Sequence, residues 1–132
     1  MASLIYDKYV DASHTGGSNT DLLTGNIKAL LIDTNDYTVN GGTDEFKDDI
    51  PSAAIIATSG NLASKTFSGG VFDAADVTFS SVTGDAGEAV VVYVDTGTDS
   101  TSRLVNYIDG LTFTPDGNDI TCTWNASGIA QF

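Results

Sequence analysis

"VVVYVDTGTDSTSRLVNYID", residues 90–109, is the stretch on which the fold turns. Val90 to Val94 present apolar side chains on both faces of an extended chain, the pattern of a central strand covered on both sides. A polar connector holding Asp95, Gly97 and Asp99 leads into a second β-rich run, "SRLVNYID" (102–109). Outward from this pair, similar runs appear at 26–34 ("NIKALLIDT"), 53–59 ("AAIIATS"), 76–82 ("DVTFSSV"), 88–96 ("EAVVVYVDT") and 119–124 ("DITCTW"). All are short, rich in Val, Ile, Thr or Tyr, and bounded by Gly, Asn, Asp or Ser. In "ITCTW", Ile120, Cys122 and Trp124 share one face while Thr121 and Thr123 take the other, as in a sheet with one face on the core. The expected fold is all-β: a β-sandwich or open barrel of short antiparallel strands, with a short N-terminal helix or arm.

Two regions depart from this pattern. Residues 3–12 read as a short helix with Ser3 as N-cap and with Ile5/Tyr9 and Tyr6/Val10 paired four apart. A helix this short is marginal alone and must lean on its own domain or on a neighbour. "SHTGGSNTD" (13–21) reads as a flexible hinge, so residues 1–21 are expected to form an arm and residues 22–132 the sandwich domain. The second departure is 33–52, "DTNDYTVNGGTDEFKDDIPS", a long aperiodic segment of the kind that is usually functional or mobile. The apolar side chains of these two regions, Leu4, Ile5, Tyr6, Tyr9, Tyr37 and Phe46, are the expected partner-binding residues.

At 132 residues the chain is long enough for one domain with a small core, which association with copies or partners would help. Five Lys and Arg against eighteen Asp and Glu give a net charge of −13, which repels a phosphate backbone and argues against nucleic acid as a partner. No apolar run approaches the length of a membrane span. The start, "MASLIYDKYVDASH", lacks a basic leader and a long apolar core, so the expectation is a product made and used without export. Cys122 is the single cysteine, which excludes an internal disulfide and a cysteine-based metal site.

Asp95-Thr96-Gly97 after an apolar strand resembles, locally, the active-site turn of a retroviral-type aspartic protease. That chemistry needs two carboxylates sharing a proton. The residues after Gly97 are too few to build the flap and the later apolar segment of such a domain. Calcium is the other chemistry weighed, at Asp95/Asp99 or at Asp44, Glu45, Asp48 and Asp49, but neither stretch carries the ligand spacing of an EF-hand loop. His14 is the only histidine and cannot anchor a zinc site or a triad by itself. No catalytic residue, metal or cofactor is therefore expected, and the connector reads as a joint between strands.

"YDKYVDA", "NIKALLIDTNDYTVN", "VFDAADVTFSSVTG", "AVVVYVDTGTDSTSRLVNYID" and "ITCTWNASGIAQF" together, in this order, resemble a family of small tailed-bacteriophage virion proteins. The chain departs from that pattern in its Gly/Ser-rich "SHTGGSNTD" and in Phe79, where Trp is common. The resemblance implies a structural virion protein without catalytic residues, of the capsid decoration (cement) kind. Its expected partner is the major capsid protein and its expected place is the capsid surface, after synthesis in the host bacterial cytoplasm. Copies at capsid junctions obey capsid symmetry, which makes a trimer the expected homo-oligomer. The alternative is a tail, baseplate or head-fibre module that recognises host-surface glycan through Tyr37, Phe46, Asp44 and Asp48.

Overall fold

The computed structural model describes residues 3–132. Along the chain come β1 (Leu4–Ile5), α1 (Asp7–His14), β2 (Asn26–Ile32), β3 (Ile55–Thr58), β4 (Thr66–Ser68), β5 (Val71–Asp73), β6 (Val77–Phe79), β7 (Ala89–Asp95), β8 (Leu104–Ile108), β9 (Ile120–Cys122) and β10 (Ala130–Gln131). They form a five-stranded sheet in the order β1-β8-β7-β2-β3, a three-stranded sheet β10-β5-β4 and the pair β6-β9. Every pairing is antiparallel. The fold is all-β and sandwich-like, with one short helix.

The doubly apolar run sits where its pattern places it. β7 is the middle strand of the large sheet and is buried from Ala89 to Val94. Its long register with β2 runs from Asn26 opposite Asp95 to Ile32 opposite Ala89. Val92 faces Ala29 on one side and Asn106 on the other, so these three side chains share a face of the sheet. The Asn106 Nδ2 donates to Ile129 O at 3.2 Å, which sets the segment before β10, and with it the three-stranded sheet, against that face. Tyr107 points the other way and meets the Tyr37 ring edge-on at 6.3 Å, so residues 33–52 cover the second face.

The N-terminal segment is packed on the domain and is not an extended arm. Leu4 and Ile5 pair with Tyr107 and Asn106 on the edge of the large sheet. The helix consequently begins at Asp7, four residues later than the expected start. Ser3 does not cap it; its Oγ accepts the Asp109 N–H at 2.9 Å instead. The local helical pattern of residues 3–6 loses to two strand pairings and to burial of Tyr6. The expected hinge is likewise tied down. Gly17 N donates to Ala12 O at 2.8 Å and Tyr9 Oη to Thr20 O at 2.6 Å. Arg103 Nε donates to Ser18 O at 3.1 Å while its Nη1 reaches Glu45 Oε1 at 3.3 Å. One buried guanidinium thus fastens the hinge and the long loop to the same strand end.

The long segment is ordered by its own carboxylates. Asp44 Oδ2 accepts from Tyr37 Oη at 2.7 Å and from Asn40 N at 2.9 Å. Asp49 Oδ2 accepts from Glu45 N and Phe46 N. Satisfying main-chain donors in this way lets an aperiodic stretch lie against a sheet without orphaned amides.

Candidate functional site

The six expected partner-binding residues do not form one surface. Tyr6, Tyr9 and Tyr37 belong to the core. Tyr6 Oη and Tyr37 Oη lie 2.9 Å apart, and Asp44 closes the chain of hydroxyls. Leu4 and Ile5 are half-buried in the edge strand. Phe46 is half-buried with the Arg103 guanidinium 5.0 Å above its ring. Aromatic side chains in a long polar loop served here as anchors to the sheet, which removes Tyr37 as a glycan platform.

The exposed apolar surface lies elsewhere. Leu23, Phe67 and Phe132 are the exposed large hydrophobic side chains among the described residues, at 47%, 44% and 40% of full accessibility. All three line one groove of about 590 Å³, together with Tyr9, Val10 and Leu22. The Phe67 and Phe132 rings stack with centroids 5.7 Å apart, and Tyr9 tilts against Phe132 at 5.6 Å. Leu23 is presented by a turn in which Asp21 Oδ1 accepts the N–H groups of Leu23 and Thr24 at 2.9 and 3.0 Å. The Thr24 side chain first, then the Thr24 and Leu23 amides, hold the Asp21 carboxyl below its ordinary pKa at the groove's rim. A contiguous apolar patch rimmed by polar groups on a highly charged chain is the usual mark of a binding surface. Sequence reasoning missed it because its members come from a turn, a three-residue strand and the last residue, with no shared periodicity.

The sites weighed for chemistry have structural partners. Lys28 Nζ stands 2.7 Å from Asp95 Oδ2, and Gly97 N donates to Asp95 Oδ1 at 3.0 Å. The Lys28 contact first, and the Gly97 amide with it, hold the Asp95 carboxyl below its ordinary range. Thr96 Oγ1 lies 2.6 Å from Thr101 Oγ1 and 3.2 Å from Ser102 Oγ, and Asp99 pairs with Lys47 at 3.2 Å. The connector is held by hydroxyls and ion pairs as a strand joint.

Of the acidic stretches weighed for calcium, Asp44 and Asp49 spend carboxylate oxygens on their own loop. The structure instead gathers Asp33, Asp36 and Asp85, with one oxygen from each within 4.8 Å of the others. Asp33 is buried and its Oδ1 accepts the Asn35 N–H, while Asp36 and Asp85 are exposed. Calcium takes six to eight oxygens, so carbonyls or waters would have to complete the set beside these carboxylates. His14 Nδ1 lies 2.8 Å from Val10 O within its own helix. Burial pushes the Cys122 thiol up to about 11, away from the range of a reactive thiolate.

No helix among the described residues is long and apolar enough to cross a membrane. No protein-family model matches the chain, and no curated protein matches it.

Proposed function

We propose that the chain is a structural protein of a tailed-bacteriophage virion, a capsid decoration protein that binds the major capsid protein and reinforces the head. The observation that carries this reading is the convergence of Leu23, Phe67 and Phe132 on one groove, a ready-made contact face for another protein. The ordered set of segments that resembles small phage virion proteins supplies the identity of the partner. Hiding half of each of these side chains from water would contribute about 1 kcal/mol apiece before association costs. Repeated over many copies at subunit junctions, a weak contact of this kind opposes the pressure of packaged DNA. A trimer suits such junctions, and the capsid surface is then the chain's location.

The test uses capsids of the virus that encodes the chain, freed of the chain and mixed with purified protein. Wild-type protein should sediment with the capsids and Leu23→Asp should not. Leu23 is half-exposed, so its replacement should leave the folded domain within about 0.5 kcal/mol of wild-type stability. Immunogold on intact virions gives the complementary result: label over the head supports decoration, and label confined to the tail rejects it.

A further inference from the structure

Strand β4 is the outer strand of the β10-β5-β4 sheet and is exposed along its whole length. It turns into β5 through Gly69 and Gly70, whose φ angles are +60° and +79°. A two-residue loop with both residues left-handed is a type I′ hairpin turn, which only glycine and a few small polar residues adopt readily. The residues flanking such a turn, Ser68 and Val71, form a hydrogen-bonded pair, so the next pair, Phe67 and Phe72, is a non-hydrogen-bonded one. The main-chain N–H and C=O of Phe67 therefore point away from β5. Phe72 agrees with this register, because its carbonyl is turned to the β10 side and accepts Ile129 N at 2.8 Å.

Phe67 thus brings together an outward N–H, an outward C=O and a half-exposed ring stacked on Phe132, at the mouth of the apolar groove. Edge strands are commonly protected by proline, by charge or by being very short; the three residues of β4 carry neither proline nor charge, and Lys65 directly precedes them. We infer that β4 is a docking edge: an extended segment of the capsid protein pairs with it at Phe67 and lays an apolar side chain between Phe67 and Leu23. The inference rests on the capsid-decoration reading and adds to it the mode of recognition, strand addition with side-chain pockets on one face.

Charge selects the occupant. The chain carries a net −13, and Asp21 stands at the groove's rim. A second copy would bring another −13 to the same edge, whereas a segment flanked by Lys or Arg is attracted to it. The docking segment is therefore extended, apolar at its centre and basic at a flank.

The experiment compares wild type, Phe67→Leu and Phe67→Pro for binding to chain-free capsids, with amide hydrogen exchange at Phe67 measured free and bound. Leucine keeps the outward N–H and an apolar side chain; proline removes the N–H at a position where an edge strand tolerates it. Wild type should bind, Phe67→Leu should bind within about threefold of it, and Phe67→Pro should lose about tenfold or more. The Phe67 amide should exchange at least about tenfold more slowly on the capsid. Capsid binding with equal affinities for the leucine and proline variants, or with unchanged exchange at Phe67, overturns strand addition and leaves decoration standing. The exchange measurement on wild type decides the matter even if the proline variant does not fold. Wild-type protein that ignores capsids overturns the decoration reading and this inference with it. Protection of the Phe67 amide that grows with protein concentration in the absence of capsids assigns the edge to a second copy and also overturns it.

Discussion

The Lys28 ammonium lies 2.7 Å from Asp95 Oδ2, across adjacent strands of the large sheet. The aspartate that most invites a catalytic reading is therefore the acceptor of a structural ion pair. Its carboxyl is held below the ordinary value by Lys28 first, with the Gly97 amide and Lys47 adding to the effect. A folded-state pKa below the unfolded one contributes stability above the unfolded value, lost as pH falls through the folded value. Lys28→Met should raise the Asp95 pKa, read by NMR titration, and should shrink the stability difference between about pH 7 and about pH 3. Both partners are partly exposed, so the change should be about 1 kcal/mol or less. An Asp95 titration identical in the variant would show that the pair is not what sets it.

Tyr37 connects the long loop to the sheet through hydroxyl chemistry. Its Oη meets Tyr6 Oη at 2.9 Å and donates to Asp44 Oδ2 at 2.7 Å. Tyr37→Phe deprives a fully buried phenol of its partner while changing almost no volume. The expected cost is about 1–3 kcal/mol, seen as a lower urea midpoint with the same slope. An unchanged midpoint would show that the hydroxyl chain contributes nothing net.

Burial raises the pKa of all five tyrosines, Tyr6, Tyr9, Tyr37, Tyr93 and Tyr107. The unfolded chain releases its phenolic protons near about pH 10, before the folded chain does. Stability must then fall as pH rises beyond that point, because the unfolded state binds fewer protons. Phenolate absorbance should stay low in the folded protein and rise together with loss of the circular dichroism signal. Smooth ionisation that is complete before unfolding begins would mean that the tyrosines are solvated.

Much of the sheet could be read from residues 26–34, 88–96 and 102–109, because long β-branched runs leave few alternatives to a buried strand. Strands β4, β5 and β10 could not. "TFS" and "VFD" are too short for periodicity, and their pairing is set by a Gly-Gly turn and by Phe72 entering the core. Residues 3–6 misled for the opposite reason: a plausible local helix signal was overridden by pairing with β8. The candidate surface was invisible because Leu23, Phe67 and Phe132 meet only after the sheets pack, as Asp33 and Asp85 do. Exposure of an aromatic residue is a tertiary property, which is why Tyr37, expected at a binding surface, lies in the core.

The N-terminal segment provides the sharpest separation between an arm and a part of the domain. An arm could be removed without harm to the sandwich. Tyr6 is instead completely buried, its N–H donates to Val105 O at 3.1 Å, and its hydroxyl meets Tyr37. Tyr9 closes the core beside it and bonds Thr20 O. Tyr6→Ala should cost about 3–5 kcal/mol, the range for truncating a buried aromatic side chain. Small domains hold only about 5–15 kcal/mol in all, so deletion of residues 1–14 should abolish the cooperative thermal transition. A truncated chain that still melts cooperatively near the wild-type temperature would return the segment to the status of an arm. Its effect on capsid binding could then be measured without unfolding the domain.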